Sequence, residues 1–205
     1  SLKPPTSSTP AKFGRSTASI SSAPAGEGLG RTSRGAAGGA VAWAMAGRSR
    51  EKLAQVRALV GATDAVPLLQ ADASDAASLA ALVAQARVVI SAVGPYQLHG
   101  EPLVRACAEA GTDYVDLCGE PGWMAGMIPR YEATARASGA RILFSCGFDS
   151  IPFELGVYFV QEAAKKALGA PVSRVKGRVR NMKGTFSGGT AASARATFAA
   201  VAKDL

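Results

Sequence analysis

The chain has 205 residues, 48% of them apolar, which suffices for a buried core and excludes a fully disordered polymer. Its net charge of +8 is unevenly spread. Residues 1–50 carry seven basic side chains against one acid, residues 51–159 carry seven against twelve, and residues 160–205 carry nine against two. A basic excess confined to the ends, without groove-reading or base-stacking motifs, argues against specific nucleic-acid binding.

Residues 1–38 are dominated by Ser, Pro, Ala, Gly, Thr and Arg, with Leu2, Phe13, Ile20 and Leu29 as the few large apolar side chains. Such a segment buries too little surface to offset its ordering entropy, so it is expected to be disordered or aberrant. Its Arg- and Ser-rich, acid-poor composition also fits an organelle transit peptide. The string "GEGLG" suggests a dinucleotide loop, but such a loop needs a strand before it and a third glycine at the sixth position. Counting from Gly28 that position is Ser33, counting from Gly26 it is Arg31, and "STASISSAPA" does not read as a buried strand.

From Val41 the pattern becomes regular. Short apolar runs at 41–47, 65–71, 86–94, 113–119 and 140–147 alternate with amphipathic stretches at 50–60, 75–85, 100–110 and 122–138. Short, nearly continuous apolar strands suit a parallel sheet covered by helices on both faces, and the alternation predicts an α/β, Rossmann-like doubly wound fold over 39–170. A long helix is expected from Ser150 to about Leu168, with Pro152 in its first turn. "PVSRVKGRVRNM" (171–182) alternates apolar and basic residues like an exposed antiparallel strand, and "FSGGTAASARATFAAVAKDL" reads as a glycine turn leading into an Ala-rich helix. Residues 171–205 therefore look like the beginning of a second, α+β domain.

Apolar runs such as Val88–Val93, interrupted only by Ser91, fall far short of the ~18–20 residues that cross a bilayer. Cys107, Cys118 and Cys146 are widely spaced, without a CxxC pair or a neighbouring histidine to complete a metal site. They read as three buried, reduced thiols of an intracellular protein, cytoplasmic or membrane-associated, and no metal is expected.

In an open parallel sheet, ligands lie beyond the carboxyl ends of the strands. Arg48 and Ser49 follow the first run, where a guanidinium and a hydroxyl suit the 2′-phosphate of NADP; the alternative is a solvated arginine. Asp72 follows the second run, placed to meet an adenine edge, or, with Ser74, to cap the next helix. After the third run, Gly94 removes a side chain and Pro95 stiffens the turn, which lets backbone approach a flat cofactor. Tyr96 and His99, which starts the following helix, are candidate proton donors by position; a lone histidine is also a common surface residue. The fourth run ends in "YVDLCGEPGW" (114–123), which leaves Asp116, Glu120 and Trp123 around the mouth of the sheet. Phe148 and Asp149 follow the fifth, where they border a nicotinamide and substrate or, as Asp149 and Ser150, cap a helix.

The strings "AMAGRS", "SAVGPYQLHGEPLVRACAEAGTDYVDLCGE", "CGFDSIPFELG" and "FSGGTAAS", in this order, resemble the saccharopine dehydrogenase-like oxidoreductases. The likeness is strongest to the branch that includes trans-acting enoyl reductases, and it covers about Val41 to Leu205. It implies a domain binding NADP, with NAD as the alternative, then a domain for a small, lipid-like substrate and homodimerisation. It places cofactor near Arg48, Ser49, Asp72, Ala92, Val93, Gly94 and Pro95, with Phe148 and Asp149 near the reacting end. The reaction implied is hydride transfer to an enoyl or imine substrate. A non-catalytic protein that keeps the fold and associates with lipid or membrane surfaces is the alternative. The family opens with a strand and a "GATGFxG"-like loop that this sequence does not match, so the sheet is expected to lack its usual first strand and glycine loop. That expectation leaves open whether this chain acts as an enzyme.

Overall fold

The computed structural model describes residues 16–21, 42–181, 183 and 188–202. Six strands form one sheet: β1 (Ser16–Ser21), β2 (Trp43–Gly47), β3 (Leu68–Gln70), β4 (Ala86–Ala92), β5 (Asp113–Asp116) and β6 (Ile142–Leu143). Their spatial order is β3-β2-β1-β4-β5-β6, every pairing is parallel, and the α/β expectation holds.

The expectation of a missing first strand is corrected. "STASIS" is β1, and it occupies the middle of the sheet, pairing Thr17 with Trp43 on one side and Ser19 with Ile90 on the other. Its small and hydroxyl side chains hide it from a hydropathy reading, whereas pairing on both edges is supplied by backbone groups that every residue carries. The order is that of a dinucleotide-binding sheet, and the chain reverses direction across the sheet between β1 and β4. The "GEGLG" string lies outside the described residues.

The helices are α1 (Arg50–Leu59), α2 (Ala76–Val83), α3 (Tyr96–His99), α4 (Glu101–Ala110), α5 (Pro121–Ser138), α6 (Ile151–Leu168) and α7 (Gly188–Val201). Side chains alternate across a strand, so neighbours on β2 enter different cores. Met45 joins Leu53 of α1 and Val66 in a small cluster. Ala46 joins Val89, Tyr114, Leu79, Val104, Cys107 and Tyr131 in the larger one, which packs α2, α4 and α5 on the sheet. Helix starts are fixed locally: Ser49 Oγ accepts the Lys52 N–H at 3.2 Å, and Asp75 Oδ1 accepts those of Ala77 and Ser78 at 2.9 and 3.2 Å. The α2 cap is thus Asp75, not Asp72 or Ser74. His99 ends α3 rather than starting α4, because the chain turns at Gly100 between them.

Residues 171–181 form no strand, a second correction. No strand among the described residues lies beside the segment; instead Gln161 of α6 holds Val172 by two hydrogen bonds of 2.9 Å. The Ala-rich helix appears as α7. Cys107 and Cys118 are buried and free, whereas Cys146 is only partly buried, since β6 ends three residues before it. No helix among the described residues is long and apolar enough to cross a membrane.

Candidate functional site

The candidate residues lie at or after the carboxyl ends of the strands, which parallel pairing puts on one edge of the sheet. At the end of β2, Arg48 is exposed, and its guanidinium forms no ion pair among the described residues. Its carbonyl accepts from Gln70 Nε2 at 3.1 Å, which ties the tip of β2 to the tip of β3. Ser49 spends its hydroxyl on the α1 cap. Beyond β3, Asp72 accepts from the backbone and hydroxyl of Ser74 at 2.9 and 2.8 Å. Those two bonds, with the Arg48 guanidinium and the His99 ring as smaller electrostatic influences, hold its carboxyl below the ordinary range. Arg48, Asp72 and His99 therefore share one electrostatic neighbourhood although 51 positions separate the first from the last.

Strand β4 ends at Ala92, which is half-buried. Val93 turns its side chain into the main core, and the half-buried Gly94 and Pro95 carry the turn into α3 through a cis peptide bond. A Cβ on Gly94 would come within 3.3 Å of Ser193 Oγ, so α7 lies against this turn. Tyr96 is buried, donating from its hydroxyl to the Ser91 carbonyl at 3.0 Å and accepting the Leu117 N–H at 3.4 Å. Burial, with the Asp116 charge second, raises its pKa. Tyr96 thus ties the end of β4 to the segment after β5 through its hydroxyl. His99, Phe148 and Asp149 are exposed at the same edge, and no side-chain cap is made by Ser150 to α6.

Two buried carboxylates, read from sequence only as lying near the sheet's mouth, organise the loops. Asp116 accepts from Tyr114 Oη at 2.9 Å, from Cys118 N at 3.0 Å and from Ser145 N at 2.8 Å. Burial raises its pKa against the opposing pull of those donors. Ser145 sits in the left-handed region at φ 56°, which a non-glycine residue adopts at a cost; Asp116 and the Cys118 carbonyl, 2.6 Å from Ser145 Oγ, hold it there. Glu120 Oε1 and Oε2 accept the N–H groups of Tyr96 and Gln97, each at 2.9 Å. Behind them Tyr96, Trp123, Phe144 and Tyr114 form a chain of ring contacts 5.3–5.9 Å apart. The signal for these carboxylates was their position at or just beyond the end of a strand; their burial could not be read from type, since Asp and Glu are seldom buried.

No group of three or more His, Cys, Asp or Glu suited to a metal occurs among the described residues. For a dinucleotide the fit is better: the strand order reverses between β1 and β4, and the residue after β2 is Arg48, whose guanidinium forms no ion pair among the described residues, rather than an acid.

A sequence model of the saccharopine dehydrogenase NADP binding domain matches residues 30–143. The chain is 52% identical over 116 residues to a trans-acting enoyl reductase of Mycobacterium bovis, covering 56% of this chain and 28% of that protein. A Mycobacterium tuberculosis protein whose name also contains "trans-acting enoyl reductase" is 47% identical over 158 residues, 77% of this chain and 38% of its own length. Apo saccharopine dehydrogenase (L-Glu forming) from Saccharomyces cerevisiae aligns in space with a TM-score of 0.47 and 19% identity, over 60% of this chain and 26% of that one. The chain thus spans between about a quarter and two fifths of the length of these relatives. With the match covering more than half of its residues, the chain belongs to the saccharopine dehydrogenase NADP-binding domain family.

Proposed function

We propose that this chain is the NADP-binding part of an oxidoreductase that reduces the C=C bond of a lipid-like enoyl substrate. The observation that carries the reading is the β3-β2-β1-β4-β5-β6 order with Arg48 exposed at the end of β2 and in no ion pair among the described residues. Arg48 meets the 2′-phosphate, Asp72 the adenosine end, and the backbone of Ala92 to Pro95 the flat part of the cofactor. Phe148 and Asp149 flank the reacting end. NADPH, when bound, supplies the hydride; the protein orients it and excludes water. The balancing proton comes from His99 or Asp149 rather than from Tyr96, whose hydroxyl is engaged with the Ser91 carbonyl. The enoyl substrate is favoured over an imine by the names of the mycobacterial relatives.

Calorimetric titration tests the reading. NADPH is expected to bind more tightly than NADH, and Arg48→Ala to erase that preference, weakening NADPH by about 10- to 100-fold, as loss of a charged hydrogen bond does. Equal affinities in the parent chain, or no binding, would overturn it.

A second reading rests on Lys176, Arg178 and Arg180, all exposed in a segment running beside the exposed apolar side chains of α6. This combination favours an anionic membrane surface, each basic residue adding ~1 kcal/mol close to lipid. Vesicle flotation that is indifferent to anionic lipid content counts against it.

A further inference from the structure

We propose that Glu120 is a positioning residue for the cofactor, acting through the turn that carries Gly94 and Pro95. The inference rests on the NADP reading above and deepens it. Glu120 occupies the N-cap position of α5, yet its side chain makes no capping bond to that helix. It crosses to α3 instead, where each carboxylate oxygen takes one N–H, from Tyr96 and from Gln97.

These N–H groups belong to the first turn of a four-residue helix, and such groups have no partner within their own helix. A helix this short does not sustain itself, so its place is set from outside. Glu120 supplies that constraint: it is 3% exposed, its own N–H donates to Cys118 Sγ at 3.3 Å, and Trp123 of its helix packs on Tyr96. The turn is thereby held between the β5–α5 connection on one side and Ser193 of α7 on the other. A carboxylate is specifically suited, because two converging donors need two acceptor oxygens. Glutamine offers one oxygen and would point its NH2 group at the second N–H.

The test compares the parent chain with Glu120→Gln and with Gly111→Ala, a remote variant expected to lower stability at a turn away from this edge. NADPH affinity and the emission of the bound nicotinamide are the readouts, with thermal unfolding in parallel. Glu120→Gln is expected to weaken NADPH about tenfold and to diminish the change in nicotinamide emission. The preference for NADPH over NADH, set at Arg48, is expected to stay. Gly111→Ala is expected to lose stability and keep both cofactor readouts. Unchanged affinity and emission in Glu120→Gln, or equal changes in Gly111→Ala, would overturn the proposal while leaving the NADP reading intact. Absence of NADPH binding in the parent chain would overturn both. Should Glu120→Gln not fold, hydrogen exchange at the Tyr96 and Gln97 amides of the parent decides: slower exchange with NADPH supports the role, and no change sinks it.

Discussion

The hydroxyl of Tyr114 donates to Oδ2 of Asp116 at 2.9 Å, from two positions earlier on the same face of β5. Both residues are buried, so neither group has water to fall back on. Tyr114→Phe removes the donor and leaves a carboxylate oxygen short of a partner in a dry site. An unsatisfied buried group of this kind costs about 1–3 kcal/mol. Urea unfolding is expected to show that loss with an unchanged slope; a loss below about 0.5 kcal/mol, the range of a neutral surface change, would mean that Asp116 finds another donor.

Two ion pairs predict how stability responds to acid. The Arg141 guanidinium holds Asp113 below its ordinary pKa, and Arg130, with the Tyr131 hydroxyl, does the same for Glu101, linking α4 to α5. A carboxyl whose folded pKa is lowered binds its proton more weakly in the native state. Its contribution is present above the unfolded value, ~3.9 for Asp and ~4.3 for Glu, and is lost as pH falls through the folded one. Asp116 has the opposite sign: its folded pKa is raised, so stability is lost as pH climbs from the unfolded value through the folded one. Unfolding midpoints measured from pH 3 to 7 are expected to fall less steeply at the acid end in Glu101→Gln. Asp116→Asn, whatever its overall cost, is expected to remove the decline on the other side.

The sequence revealed those elements whose own side chains drive their formation. The apolar strands β2 and β4 and the helices α4 and α5 carry their burial pattern in residue type, and their limits fall within a few positions of expectation. Strand β1 was illegible because Ser, Thr and Ala contribute little hydropathy, and its stability comes from pairing with strands distant in the chain. The candidate site was legible to the extent that parallel topology sends every strand end to one edge of the sheet, and Arg48, Asp72, Gly94 and Phe148 each come just after a strand. The work of Glu120 was not, since its hydrogen bonds reach 23 and 24 residues back along the chain.

At Gly100 a methyl group would meet Trp123 at 2.6 Å and the Tyr96 carbonyl at 2.8 Å. Gly100→Ala must therefore displace the indole or open the α3–α4 turn, an overpacking that costs about 1–3 kcal/mol. Because Trp123 contacts both Tyr96 and Phe144, its displacement is visible in tryptophan emission. The expected result is a lower unfolding midpoint together with a shifted emission maximum. A lower midpoint with unaltered emission would place the strain in the backbone instead.

Helix α6 is apolar on several sides, yet none of its residues is buried: Leu155 is 58% exposed, Tyr158 64% and Phe159 73%. A helix apolar around its girth ordinarily lies inside a protein, and a contiguous exposed patch of this kind promotes association. Leu155 and Phe159 are four residues apart and share one face. Replacing both with Ser removes apolar surface without touching either core cluster, so the unfolding free energy is expected to change by only about 0.5 kcal/mol per site. Binding of an apolar dye is expected to fall, and light scattering to stay monodisperse at higher protein concentration. A large loss of stability in this double variant would show instead that α6 packs on the sheet in solution.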